Sequence, residues 1–598
     1  MAAALAVRLA GLYWDSGYLF HPDERKILTV AAELRFPWRS PGLFLSVDSP
    51  WNPRFFSYGS LPIYLVRIAS GAVGVLWPPA RGLAGSAAVG RALSALADVG
   101  SVALVYLLGR RLHGRGVGLL AAAFLAFAPL HIQVSHYYAV DTLLTCLVLL
   151  TLYLALDLLD HPSAARGHLV GLAWGAAVAT KLTALPLAAP VGVAWYLGLR
   201  RLSPQDGRVG ARWALREAAG GLALTTTMAA AAFVLLEPYA LINVARFLRD
   251  VVFEARMAGG AVDVPYTRQY IGTLPFLYPL AQMVVWSLGL PLGTAGCAGA
   301  VAALGGSVAD LTGRRPLRRG EAVVLVWLVT YLATTATLHA KFARYMLPVV
   351  PLVCLAAAWG LVALRRWLGR FGRRAAVAAG WLAGGVFAAT AFLGVGYLHV
   401  YSQPHTWLRA TRWICANVPA GSRILVEHWD DPLPIVSTRE GLSCHSSYEV
   451  TSLPLYDEDT PRKAAALAEQ LAGADYVIVS SSRLYGAIAP LTARYPYTAR
   501  YYRLLFGEQL GYRLAHYEAT YARFLGIDLV HDTLGPAGLP VPRLLRAGES
   551  LRRALWLGRA DESLFVYDHP MPLVFRQTGG LSAAEIEALL TAPSSAAD

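Results

Sequence analysis

The feature that most constrains this chain is a repeating one: runs of about 20 apolar residues, punctuated by short arginine-rich stretches. A transmembrane helix needs ~20 mainly apolar residues to cross the hydrocarbon core. Runs of that kind cover residues 88–109, 116–135, 139–158, 217–236, 276–304, 321–339, 345–364 and 375–400. Residues 168–199 form a further run, interrupted by Lys181 and Pro186, and read as two short helices with a turn at KLTALP. MAAALAVRLAGLY at the N-terminus is too short to span and is counted as a truncated first helix. The sum is about 11 spans. With 56% hydrophobic and 15% charged residues, the composition excludes an ordinary water-soluble fold.

Charge then fixes the expected orientation. The net charge of +14 does not signal nucleic acid, because the basic residues lie in clusters between apolar runs. GRRLHGR (109–115), the stretch 200–216, GRRPLRR (313–319) and RRWLGRFGRR (365–374) all fall on one side when the spans are threaded in order, as cytoplasmic loops do. The opposite, extracytoplasmic side then receives the loop 14–87, HYYAVD, Lys181, the loop 237–275, HAKFARY and everything after residue 401. The expected fold is a mainly α-helical polytopic membrane domain over 1–401 and an extracytoplasmic α/β domain over 402–598. Within the tail, Thr460 and Pro461 open a helix, and SRILVEH, ADYVIVSS and SLFVYDHPMPLVF read as strands. Cys415 and Cys444 lie where an oxidising compartment permits a disulfide, although spacing alone does not show that they meet. Cys146, Cys297 and Cys354 sit in apolar runs, and no metal-ligand spacing is present.

Ionisable residues are scarce enough for each outer one to be weighed. In GYLFHPDERKI, Pro22 followed by Asp23 and Glu24 is an ordinary helix start, since carboxylates favour the positive end of the helix dipole. Two successive acids point ~100° apart on a helix, so one ligand cannot face both. Asp141 in HYYAVDTLL also has a bland reading, as the start of the next span. Their shared depth at the outer boundary favours chemistry: desolvated acids there are expected to have raised pKa values and to act as bases. Lys341 and Arg344 of HAKFARY, with Lys181, form a candidate cradle for a phosphate group, although each alone reads as a snorkelling cation. His21, His136, Tyr137 and Tyr138 are candidate substrate contacts, against the commoner reading of the tyrosines as belt anchors. LPIYLVRIASGAVGVL, after WNPRFFSYGS, reads as a helix lying along the interface.

FHPDE with NPRFFSYGSLPIYL behind it, SHYYAVDTLL, ATKLTALP and KFARYMLPVVPL together resemble the GT-C superfamily, over roughly residues 10–365. Within it they resemble in particular bacterial members of glycosyltransferase family 39, which includes relatives of protein O-mannosyltransferases and of the aminoarabinose transferase. The resemblance implies an inverting transferase that moves a hexose or pentose from a polyprenyl-phosphate carrier to a protein, glycan or lipid acceptor at the outer face of the plasma membrane. It places the base at Asp23 with Glu24 as neighbour, a second acidic position at Asp141, and the carrier phosphate at Lys341 and Arg344. Single displacement needs one base and stabilised phosphate departure, so no cofactor is required and a divalent metal is optional. Two competing readings are a lipid-linked sugar transporter or flippase and a non-catalytic envelope assembly protein. The absence of an internal repeat and the gathering of ionisable residues at one face count against the transporter. For the tail, a lid over the outer loops competes with acceptor recognition through Trp429, Asp430 and Asp431.

Overall fold

The computed structural model describes residues 1–203, 207–311, 319–436, 443–550 and 552–592. All of GRRPLRR except Arg319 lies outside the described residues. The chain divides into two units: residues 1–13, 17–262 and 273–395 form the first, and residues 14–16, 263–272 and 396–598 the second. The main part of the second unit therefore starts at Gly396, inside the last apolar helix, and two short segments from earlier in the chain belong to it.

The first unit is helical. It runs α1 (Ala2–Leu9), α2 (Pro22–Glu33), α3 (Ser60–Leu76), α4 (Leu83–His113), α5 (Arg115–Ala126), α6 (Pro129–Ser135), α7 (Val140–Asp160), α8 (Ala164–Val178), α9 (Ala188–Leu202) and α10 (Arg208–Leu236). It continues with α11 (Tyr239–Ile242), α12 (Val244–Ala258), α13 (Leu277–Gln282), α14 (Leu290–Leu311), α15 (Arg319–Thr335), α16 (Val350–Leu368) and α17 (Arg373–Ser402). Among the described residues six helices are long and apolar enough to cross a membrane, or seven if α5 and α6, bent by 57° at their junction, make one span. The protein is thus a multi-pass membrane protein, with several of the 11 expected spans broken or short. The bend falls at Pro129, which cannot donate into the helix. The run 276–304 is not one helix: α13 passes through a π-turn over Met283–Ser287, and α14 restarts after Gly289, whose φ is +81°. The run 168–199 breaks where expected, with a 3₁₀ turn at Leu182–Leu187 between α8 and α9. The expected interfacial segment is one 17-residue helix, α3.

The short α1 is held by charge rather than length. Arg8 is fully buried, donates from Nε to Asp98 Oδ2 at 2.6 Å, and donates further to the carbonyls of Ala4, Ala126 and Leu125. His131 contacts the other Asp98 oxygen. Every donor of a buried guanidinium must be satisfied, and here α4, α5 and the carbonyl of Ala4 in α1 itself supply the partners. Small residues permit the close helix packing: a Cβ on Gly109 or Gly118 would collide with the facing helix.

The second unit is α/β. Helix α18 (Thr406–Asn417) precedes β1 (Arg423–Glu427), β2 (Glu449–Leu453), α19 (Pro461–Ala472) and β3 (Tyr476–Val479). Later strands are β4 (Tyr512–Tyr517), β5 (Ala522–Phe524), β6 (Ile527–Asp532), β7 (Ala554–Arg559) and β8 (Leu573–Gln577). One sheet has the order β2-β1-β3-β8-β4, the first three strands parallel and β8 antiparallel to both neighbours, and a second has the order β5-β6-β7. Thr460 caps α19, its hydroxyl accepting from the Lys463 N–H. The expected strand over SLFVYDHPMPLVF forms only at its end. Asp561 accepts from the Ser563 N–H and starts a 3₁₀ turn, and Pro570 and Pro572 keep ladder donors out until Leu573. Cys415 and Cys444 are disulfide-bonded, with Cα atoms 5.5 Å apart.

Candidate active site

Asp23 and Glu24 occupy the first turn of α2, behind His21 as N-cap and Pro22 at the first helical position. The His21 Nδ1 accepts from the Glu24 N–H at 3.4 Å, and its ring packs on Tyr137 with centroids 4.5 Å apart. His21 therefore serves helix entry. The ~100° between the two acids then sends them to different places.

Glu24 is fully buried and taken up by Arg91 of α4. Nε and Nη2 of Arg91 donate to its two oxygens at 2.8 and 2.6 Å, and the Tyr138 N–H donates to Oε1 at 2.9 Å. This is a bidentate fork that leaves Glu24 no reach towards a substrate. The structure corrects its expected place as a supporting acid: Glu24 ties α2, α4 and the start of α7 together.

Asp23 is only half-buried and meets Arg344, Nη2 to Oδ2 at 3.0 Å. The same guanidinium lies 3.8 Å, from Nε, from Oδ2 of Asp141 at the start of α7, and Lys181 Nζ donates to Oδ1 of Asp141 at 2.9 Å. Two carboxylates and two cations from four separate chain segments thus form one cluster. The Tyr58 hydroxyl also donates to Asp23, and the Tyr345 ring lies under Lys181, 4.7 Å from Nζ. Burial pushes the Asp23 carboxyl up, but Arg344, His21, Tyr58 and Lys181 together outweigh it and hold the pKa below the usual range. The expected raised pKa of Asp23 is overturned, because burial, the largest single influence, is outweighed by Arg344, His21, Tyr58 and Lys181 acting together.

Backbone pairing sets the frame. The Gly59 N–H donates to the Thr180 carbonyl at 3.1 Å and the Leu61 N–H to that of Ala179 at 3.2 Å, which joins the SYGS turn to the turn carrying Lys181. A Cβ at position 59 would collide with the Ala179 carbonyl, so glycine is required there. The Asp250 carboxylate of α12 accepts from the Phe56 N–H at 3.1 Å. One helical turn further, Glu254 hydrogen-bonds Ser57 within electrostatic range of Asp23, Lys181 and Arg344, and burial raises its pKa.

The other expected site residues lie elsewhere. Lys341 is nearly buried, donates to the His339 carbonyl at 3.1 Å, and makes no ion pair among the described residues, so Arg344 alone of the HAKFARY cations reaches the acids. His136 is enclosed between the carbonyls of Ile132 and Ala10, each 2.7 Å from a ring nitrogen. Tyr138 donates to the Pro62 carbonyl at 2.6 Å, and the Tyr137 hydroxyl accepts from Gln133. All three side chains are at least 96% buried and serve packing, which corrects their expected substrate contact.

Tyr58, Glu254 and Arg91 were not singled out in the sequence. Arg91 had a usable signal, being a lone arginine inside an apolar run, which in a membrane requires an acid partner. Tyr58 and Glu254 had none beyond their outer-loop position. Among the described residues no three His, Cys, Asp or Glu side chains converge as metal ligands would.

Residues 83–205, which include Arg91, Asp141 and Lys181, match the family described as dolichyl-phosphate-mannose-protein mannosyltransferase. That segment therefore carries the sequence pattern of a membrane glycosyltransferase family. No curated protein matches the chain in sequence. Among solved structures, the oligosaccharyltransferase of Archaeoglobus fulgidus in the apo form is similar at 15% identity and a TM-score of 0.48, over 84% of this chain and 72% of that one. ArnT from Cupriavidus metallidurans bound to undecaprenyl phosphate is similar at 16% identity and a TM-score of 0.44, over 82% of this chain and 93% of that one.

Proposed function

We propose that this protein is an inverting glycosyltransferase that moves a sugar from a polyprenyl-phosphate carrier to an acceptor hydroxyl at the extracytoplasmic membrane face. The observation that carries this reading is the sharing of Arg344 between Asp23 and Asp141, with Lys181 on the far side of Asp141. The family match over 83–205 supports the same reading.

The cluster is balanced, two positive charges against two negative. A sugar phosphodiester brings one negative charge and competes with Asp23 for Arg344, since a guanidinium grips either oxyanion by the same fork. When Arg344 turns to the phosphate, Asp23 loses the partner that depresses its pKa and becomes a stronger base. In transfer the acceptor oxygen attacks the anomeric carbon, its proton passes to Asp23, and the bond between that carbon and the phosphate oxygen breaks. The carrier leaves as a phosphate monoester with one more negative charge, which Arg344 and Lys181 stabilise. Interactions that strengthen as charge develops lower the barrier rather than tighten ground-state binding. No covalent intermediate on the protein is needed.

Radiolabelled polyprenyl-phosphate sugar offered to the purified protein tests this. Transfer by the native protein, lost in Asp23→Asn, is expected, and persistence after chelation with EDTA would support cation-assisted departure without a divalent metal. Label crossing a vesicle bilayer at equal rates in both proteins, without transfer, would replace the enzyme by a flippase.

A further inference from the structure

The ends of the helices opposite the acid–cation cluster hold a second charged site. Asp141 begins α7 and Asp160 ends it, so the two lie about 28 Å apart along the helix, close to the thickness of the hydrocarbon core. Around Asp160, the ends of α4, α7, α9 and α16 and the first turn of α15 line a half-open cavity of about 680 Å³.

Among the described residues its charges are unbalanced. The two carboxylates in the lining are both engaged: Asp160 with Arg111 at 2.6 Å, and Glu321 with His113 at 3.6 Å. Arg201, Arg319, Arg366 and Arg370 also line the cavity and form no ion pair among the described residues. These four guanidinium groups come from α9, α15, α16 and the turn after α16, so they converge from separate segments. Snorkelling accounts for a single arginine at a helix end, and the helix dipole favours a cation there. Neither accounts for four around one concave space. Trp359 and Trp367 complete the wall, Trp359 packed on His113 and Trp367 on Phe371. Indole rings of this kind belong at headgroup depth, apolar on one side and wet on the other.

We propose that this cavity binds the phosphodiester headgroup of an anionic phospholipid, on the membrane face opposite the proposed transfer site. A phosphodiester is an anion that guanidinium forks grip and that lipid headgroups present at this depth, and basic pockets between helices at the inner face are suited to it. The volume is that of a site for a whole small molecule, larger than a lone phosphate needs, and leaves room for the glycerol beside the phosphate. The tryptophans would flank the glycerol and the first acyl carbons.

Native mass spectrometry of the full-length protein in uncharged detergent, titrated with phosphatidylglycerol or phosphatidylcholine, tests the assignment. Native protein is expected to retain phosphatidylglycerol in preference to phosphatidylcholine. The double variant Arg366→Gln with Arg370→Gln is expected to lose about twentyfold of that retention, whereas Arg39→Gln, an exposed arginine of the outer loop, is expected to lose none. Should the double variant fail to fold, Arg201→Gln on α9 serves in its place, with about a fivefold loss expected. Equal retention of both lipids, or full retention of phosphatidylglycerol by the cavity variants, overturns the proposal. So does inorganic phosphate at millimolar concentration binding in place of the lipid, which would make this a free-anion site.

Discussion

Asp23 and Glu24 are neighbours in sequence, yet they sit in opposite kinds of ion pair. Glu24 and Arg91 are closed: both fully buried, bidentate, with the remaining acceptor capacity met by the Tyr138 N–H. Asp23 and Arg344 are open: partly exposed, joined through one nitrogen, and sharing the guanidinium with Asp141. A closed pair costs so much to break that it can only hold structure. An open pair has partners to spare and can exchange one anion for another, as binding a charged substrate requires.

That contrast can be broken by substitution. Asp23→Asn keeps the shape of the side chain and removes the proposed base; transfer is expected to fall by ~10²–10⁴-fold in kcat/KM with the melting temperature unchanged. An equal loss in Glu24→Gln without loss of stability would erase the distinction. Arg91→Met strands the Glu24 carboxylate in the interior and is expected to destabilise the first unit by ~3–5 kcal/mol, read by thermal unfolding in detergent. Adding Glu24→Leu should restore much of it, because the unpaired charge, rather than the lost contact, is the cost.

Smaller effects sharpen the open pair. Arg344 is a main cause of the lowered Asp23 pKa, so in the free native enzyme Asp23 is ionised at neutral pH and sets no acid limb there. Arg344→Gln is expected to raise KM for donor by about tenfold and to move the acid limb of kcat/KM to higher pH as the Asp23 carboxyl rises. A limb that stays in place would separate Asp23 from the base. The smallest expected effect belongs to a closed acid of the second unit. Glu427, at the end of β1, accepts from the Tyr502 hydroxyl at 2.6 Å, and burial pushes its pKa up to about 8. Its folded form holds a proton that the unfolded chain has released, so stability is greatest below ~4.5 and declines as pH rises to about 8. Glu427→Gln should flatten that decline by a few kcal/mol at most in a pH series of unfolding temperatures.

The sequence by itself determined the class of molecule and pointed to four of the ions that meet in one cluster. Apolar runs of spanning length leave a chain no alternative to helices in lipid, since every backbone donor must be met within its own segment. Asp23, Asp141, Lys181 and Arg344 were legible for the same reason: ions are too costly among apolar residues to be there without a partner. Breaks such as the π-turn at Met283–Ser287 were not legible, because hydropathy measures composition and not helix continuity. Only the tertiary structure decided which ion meets which. Sequence puts Glu24 next to Asp23 and Lys341 three residues from Arg344. The helix rotation of ~100° per residue and the crossing of α4 hand Glu24 to Arg91, and a local bond to the His339 carbonyl takes Lys341 away. The Asp23 pKa, expected to rise from desolvation alone, falls because Arg344 from a distant turn, together with His21, the Tyr58 hydroxyl and Lys181, outweighs burial. Pairing depends on distances set by packing, and packing brings together Asp23, Asp141, Lys181 and Arg344 across more than 300 residues of chain.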